Sequence, residues 1–186
     1  MDKNKVVDHI MRNSHEDIRG VFALLANKLR SPAITLMYAA MDRMSWLDAS
    51  REESGNPEFK EWVNKYLLAG ETFSFTADDL WAARCGMVHT GAAESRDLRA
   101  NRANAIYYYT HQGEVTEAQL LTIATPIAAH LGIPVPKVKL VDYYWLAERL
   151  VEATERFDQH LRASDEQTLR PILDKANRQL SFQPLE

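Results

Sequence analysis

An arginine and a histidine frame the segment Arg-Cys-Gly-Met-Val-His, residues 84–89. The guanidinium of Arg84 stays charged and presents a planar fork of donors to phosphate oxygens. The imidazole of His89 titrates near neutral pH, so it can take a proton from a ribose 2′-hydroxyl or return one to a leaving group. The two residues together have the chemistry that metal-free cleavage of RNA requires.

The spacing alone does not establish a site. The chain has six histidines and many arginines, so a pair at this distance also arises by chance. Both residue types are favoured near helix C-termini by the helix dipole. The alternative is therefore that Arg84 and His89 lie at the ordinary end of a helix and have no catalytic role.

Apolar residues recur at helical spacing through most of the chain. The sequence predicts an all-α helical bundle in one domain over 1–186, with its core at about 15–163 and a C-terminal helix and tail at 164–186. A loop and short-strand region is expected around 91–137. The predicted elements are helices after Ser14, over 32–48, around 59–67, from Thr76, over 116–131, 139–162 and 165–179, a strand at 105–111 and a connector at 132–138.

The helix that carries the motif begins with a capping signal. Thr76 and Asp79 approximate a capping box, with Asp in place of the usual Glu. Gly86 lies between Arg84 and His89 and weakens the helix there. We expect the helix to break between the two residues and to direct both into one cleft.

Charge and motif content exclude several classes of protein. A net charge of -4 and a pI of about 5.9 argue against a surface coated in basic charge for duplex binding. The chain has no phosphate-loop, dinucleotide, zinc-protease or nucleophile-elbow signature. No two histidines lie four apart, and a single cysteine cannot form a zinc cage. We expect no metal and no cofactor.

The number of cysteines and the hydropathy of the chain indicate the cellular compartment of the protein. Cys85 is the only cysteine, so no intrachain disulfide can form, and a lone thiol fits a reducing environment. The N-terminal sequence lacks the apolar stretch of a signal peptide, and no apolar run approaches about 18 residues. The sequence predicts a cytoplasmic protein with no membrane partner.

The phrase DLWAARCGMVHTGAAES, residues 79–95, resembles the motif segment of the HEPN superfamily. Its members are all-helical domains of many prokaryotic ribonucleases in toxin–antitoxin, abortive-infection and CRISPR systems. Their signature is an arginine followed a few residues later by a histidine, which Arg84 and His89 match. The resemblance covers about residues 15–163, and only the motif is specific.

This resemblance implies a metal-independent endoribonuclease that acts as a homodimer, with the two motifs facing each other across a composite cleft. RNA is then the substrate, His89 the acid/base and Arg84 the residue that holds the scissile phosphate. In a toxin–antitoxin or phage-defence setting, a protein antitoxin is a further partner.

One residue departs from the pattern. Active members often carry Asn, Asp or His directly after the arginine, whereas this chain has Cys85. The alternative is therefore a non-catalytic HEPN-like module that binds RNA, a nucleotide or a protein partner. A third interpretation is an unrelated helical bundle with a scaffolding role.

Four residues that follow the motif are predicted to bind substrate: Ser95, Arg96, Arg99 and Arg102. Their arginines can follow an RNA backbone, and the alternative is a solvated loop or helix face.

Asp42 lies within the apolar segment YAAMDRMSWL. It is predicted to orient Arg84 through a salt bridge. A structural pairing with Arg43 or Arg12 is the equally weighted alternative.

Overall fold

The computed structural model describes residues 2–90, 95–111 and 113–179, with the backbone alone for residues 89 and 90. This part of the chain is predominantly helical, which confirms the predicted all-α class. Its α-helices are α1 (Lys3–Ala26), α2 (Arg30–Asp48), α3 (Asn56–Trp62), α4 (Ala77–Thr90), α5 (Arg96–Arg99), α6 (Glu117–Leu131), α7 (Tyr143–Ala163) and α8 (Glu166–Ala176).

Shorter elements complete the chain. A π-helical turn, Val63–Leu67, follows α3, and a 3-10 turn, Val135–Lys137, precedes the second of two strands. The strands are β1 (Ala105–Tyr109) and β2 (Val138–Asp142). The chain forms two compact units, one of residues 1–67 with 150–186 and one of residues 68–149. The single domain expected from the sequence stays a prediction.

The first unit is built on α1 and α2, which pack against each other and against α8. A Cβ at Gly20 would lie 2.9 Å from Leu36 Cδ2, so glycine permits this close approach of α1 to α2. Methionines 11, 37, 41 and 44 are fully buried in the core. Their unbranched side chains fill irregular gaps between helices.

Two further contacts hold this unit together. Trp62, Tyr66 and Phe157 form an aromatic cluster with ring centroids 5.3 to 6.4 Å apart. Lys175 is buried and donates from Nζ to the Trp46 carbonyl at 2.6 Å and the Ala49 carbonyl at 2.5 Å. Its ammonium therefore satisfies carbonyls at the C-terminal end of α2, which the helix dipole also favours.

The second unit contains a β-α-β arrangement. Strands β1 and β2 pair in parallel, with Ala105 opposite Val138 and Tyr109 opposite Asp142. Parallel neighbours need a long crossover, usually a helix, and α6 supplies it. The expected strand at 105–111 is present as β1, but the prediction that a helix begins at about 139 is wrong, because these residues form β2.

Asp79 joins two distant parts of this unit. Its buried carboxylate accepts hydrogen bonds from the Thr76 backbone N–H at 2.9 Å and the Asn104 N–H at 2.6 Å. The Asn104 side-chain amide adds a third bond at 3.1 Å, and the Asp79 N–H donates to Thr76 Oγ1 at 3.3 Å. One carboxylate thus completes the predicted capping box of α4 and positions the residue just before β1.

Replacing Asp79 with alanine should therefore lower the free energy of unfolding by about 2–4 kcal/mol, because it strands buried donors and removes a helix cap. Chemical denaturation followed by circular dichroism would measure the change. Asp78→Ala is the matched control: Asp78 is exposed in the same turn, and its loss should cost under about 1 kcal/mol. Equal effects of the two substitutions would contradict a special role for Asp79.

A second carboxylate is buried in the first unit. Asp17 lies on α1, and Arg43 Nε on α2 is 3.3 Å from its Oδ2. Burial raises the pKa of Asp17, although the charge of Arg43 lowers it in part. The ionised form is thus less favourable in the fold than in the unfolded chain.

The stabilising contribution of Asp17 is consequently present at low pH and is lost as pH rises through its folded pKa. Between about pH 3 and pH 7, the wild type should lose stability relative to Asp17→Asn. Denaturant midpoints of both proteins across this range would test it. Glu53→Gln, at an exposed carboxylate of the same unit, should follow the wild-type trend, and parallel curves for wild type and Asp17→Asn would refute the prediction.

Candidate functional site

The motif lies on the second half of α4. This helix continues through Gly86 to Thr90, so the expected break between Arg84 and His89 is wrong. Gly86 is buried and is not among the glycines with positive φ. It lies at helical spacing from Asp79, Ala82 and Ala83, which are buried too. The glycine is therefore part of the packed face of α4 and does not end it.

The other face of α4 is partly open to solvent. Trp81, Arg84 and Cys85 are half-buried on it, and Val88 is 39% exposed. These positions follow the i, i+3, i+4, i+7 pattern of one helix face. Arg84 thus stands in an outward stripe whose other members are uncharged.

Arg84 is held by the tryptophan one turn before it. The guanidinium carbon lies 5.2 Å from the centroid of the Trp81 ring. A cation at this distance from an indole face is attracted by the ring quadrupole, and the contact limits the side chain to fewer conformations. The planar guanidinium keeps its charge while it lies against the ring. The i, i+3 spacing of Trp81 and Arg84 in the sequence could have indicated this contact.

His89 lies in the last turn of α4 by its backbone, and its side chain is outside the described part of the structure. An α-helix turns about 100° per residue, so positions 84 and 89 leave the axis about 140° apart. Position 85, one turn before His89, is nearer to it around the helix. Within one chain, therefore, the backbone does not direct Arg84 and His89 to the same side.

The basic residues after the motif lie on and beside the short helix α5. Ser95 is buried and caps α5, because its hydroxyl accepts from the Leu98 N–H at 3.2 Å. Arg96 and Arg99 are exposed. Arg102 is exposed too and donates from Nε to Asp97 Oδ1 at 3.1 Å.

A lysine from another part of the chain joins these arginines. Lys137 Nζ donates to the side chain of Asn101, which lies between Arg99 and Arg102 in sequence. The α5 region therefore contains cations from two chain segments, and Arg102 among them is paired with the carboxylate of Asp97. This arrangement is compatible with binding an anionic backbone, and the predicted role of the arginines in binding RNA stays a prediction.

Asp42 and Arg84 belong to different units of the chain. Asp42 is half-buried in α2, and its proposed role in orienting Arg84 stays a prediction. Within the described residues, no group of three or more His, Cys, Asp or Glu side chains is placed to hold a metal ion. No helix in the same described ranges is sufficiently long and apolar to cross a membrane.

Comparison with known proteins adds no assignment. No protein-family model matches the chain, and neither the curated proteins nor the solved structures include one with significant similarity to it.

The geometry of Ser95 separates a structural role from substrate binding. Ser95→Ala should lower the free energy of unfolding by about 1 kcal/mol, because α5 loses its cap. Ser95→Thr should keep most of the stability, since a threonine hydroxyl can accept the same bond from the Leu98 N–H. Thermal melts of the three proteins would test the cap, and a Ser95→Thr protein no more stable than Ser95→Ala would contradict it.

Proposed function

We propose that this chain is a metal-independent endoribonuclease of HEPN type, with Arg84 and His89 as its catalytic residues. The observation that carries the proposal is the placement of Arg84 on the half-exposed face of α4, with its guanidinium against Trp81. A charged, pre-oriented arginine five residues before a histidine supplies both functions that the reaction needs.

The roles follow from the chemistry of each group. His89 removes the proton of a ribose 2′-hydroxyl, and the oxygen attacks the adjacent phosphorus. Arg84 donates to the non-bridging oxygens and stabilises the charge of the pentavalent phosphate. The bond to the 5′-oxygen then breaks, and that oxygen takes a proton from the imidazolium of His89, which returns to its neutral form. The products carry a 2′,3′-cyclic phosphate and a 5′-hydroxyl.

The helix geometry favours a site shared between two copies. Because positions 84 and 89 leave α4 about 140° apart, one phosphate is reached more directly by Arg84 of one copy and His89 of another. A two-fold arrangement creates two such sites, each with one residue from each chain. The homodimer is thus part of the proposal.

The proposal is tested by cleavage of mixed cellular RNA in EDTA, with identification of the new RNA ends. Arg84→Ala and His89→Ala should each lower the rate about 100-fold or more and leave the circular dichroism spectrum unchanged. Arg19→Ala and His15→Ala, at exposed positions of α1, should cleave like the wild type. Full activity of either motif variant would exclude the proposed site.

Co-expression of the two motif variants tests the composite site. With random pairing, half of the dimers are mixed and each mixed dimer has one intact site of two, so activity should recover to about a quarter of wild type. Mixed dimers without activity would place both residues of a site in the same chain.

A non-catalytic binding module is the second candidate. The observation that favours it is Cys85, which lies half-buried beside Arg84 where active members often have Asn, Asp or His. In that case Arg84 and the α5 arginines would bind RNA without cutting it. RNA binding that Arg84→Ala weakens, with intact RNA after long incubation, would support this candidate over the nuclease.

A further inference from the structure

Strand β2 has one edge that is paired with β1 and a second, outer edge. Within the residues that the structure describes, the sheet consists of these two strands. Successive residues of a strand direct their backbone N–H and C=O groups to opposite edges, so β1 pairs with only part of β2. In the same described ranges, no backbone–backbone hydrogen bond links Lys139, Leu140 or Val141 to a segment other than β1. The outer edge therefore presents a row of backbone donors and acceptors.

An open groove lies along this outer edge. It has a volume of about 320 Å³, and three consecutive residues of β2 line it, Val138, Lys139 and Leu140. Successive side chains of a strand point to opposite faces of the sheet, so a groove that meets all three residues touches the strand at an edge. None of the described residues that line the groove belongs to β1. The groove thus lies on the outer edge of β2.

Helix α6 supplies an apolar wall of this groove. Leu120, Leu121 and Ala124 line it, and Leu121 is 46% exposed. Glu117 and Lys139 contribute one charge of each sign, so the lining has no net charge. A ligand that fills the groove therefore needs apolar side chains for the wall and a row of hydrogen-bonding groups for the strand.

We propose that the outer edge of β2 binds an extended segment of another protein, which adds a third strand to the sheet. A peptide backbone at the distance of a neighbouring strand, about 4.8 Å, offers N–H and C=O groups in the repeat that this edge requires. Every second side chain of the segment enters the groove against α6, so these residues are apolar.

A second copy of β2 is a poorer occupant of this edge than a segment of another protein. The strand has five residues, and one of them is Lys139. Lysine on an edge strand is a common device against the pairing of identical edges, since two copies would bring two ammonium groups to one short ladder. A different segment can place a carboxylate opposite Lys139 and gain a cross-strand pair. The partner segment therefore alternates apolar and polar residues and contains an acidic one.

Amide hydrogen exchange of the full chain, followed by nuclear magnetic resonance, tests whether the edge is open. Alternate amides of β2 should exchange about 100-fold faster than the amides between them, because only the latter donate to β1. Equal protection of the Lys139, Leu140 and Val141 amides would overturn the inference.

Selection of random displayed peptides on the full chain tests the class of partner. The selected peptides should alternate apolar and polar residues and include an acidic residue. Methylation of the peptide nitrogen at alternate positions should lower their affinity about 10-fold or more, because these N–H groups donate to β2. Methylation at the positions between them should have little effect. A selection that enriches no peptide, or a methylation effect without alternation, would overturn the inference.

Two exposed positions of α6 supply a matched pair of variants. Leu121 lines the groove, whereas Ile123 leaves the helix about 160° away from it. Leu121→Arg should lower the affinity for selected peptides about 10-fold or more, and Ile123→Arg should bind them like the wild type. Circular dichroism would verify that both variants are folded. Peptides that bind the two variants equally would overturn the inference.

Sedimentation equilibrium of the same variants tests the rival occupant. If Leu121→Arg dissociates a wild-type dimer that Ile123→Arg preserves, the edge belongs to a second copy and the inference is overturned. An oligomeric state that is the same in both variants and the wild type agrees with a partner segment. None of these measurements involves RNA, so the β2 edge can fail while the nuclease proposal stands, and the reverse also holds.

Discussion

The second unit depends on a single carboxylate, that of Asp79. Residues 79 and 104 are far apart in sequence, and the region between them contains the motif and α5. By accepting bonds from Thr76 and Asn104, Asp79 fixes both the start of α4 and the entry to β1. The strand pair and its crossover helix then follow from where β1 begins. Asp79, a residue outside the motif, thus ties together the chain that precedes the motif and the chain that follows α5.

Local signals predicted much of the fold. The Thr76–Asp79 box and the helix over 116–131 could be recognised, because a helix cap involves only residues that are neighbours in sequence. Thr116 caps the start of α6, and Gly132 ends the helix in the left-handed region at φ 63°. Strand β2 could not be recognised from the sequence, because its partner β1 lies some thirty residues away. Parallel strands are also not joined by a tight turn that would mark the pair in the sequence. The expected break at Gly86 was wrong because the intrinsic cost of one glycine in a helix is small, and this glycine lies on the buried face of α4.

The candidate site shows the same division between local and distant causes. Arg84 and His89 could be selected from residue type and spacing, and Trp81 could have been added from its i, i+3 position. The hydroxyl of Ser95 caps α5, as a hydroxyl one position before a helix commonly does, and its predicted role in binding substrate stays a prediction. The approach of Lys137 to Asn101 could not be foreseen, since it depends on the crossover that brings β2 beside β1.

The continuity of α4 decides how its two motif positions can be used. A break at Gly86 would have allowed one chain to bring both residues to the same phosphate, whereas a helix that continues to Thr90 places positions 84 and 89 about 140° apart around its axis. In the proposed function, this angle is the reason for assigning the two residues of one site to different copies of the chain. The burial of Gly86 on the packed face of α4 therefore bears on the chemistry as well as on the fold, because the helix stays continuous through the motif.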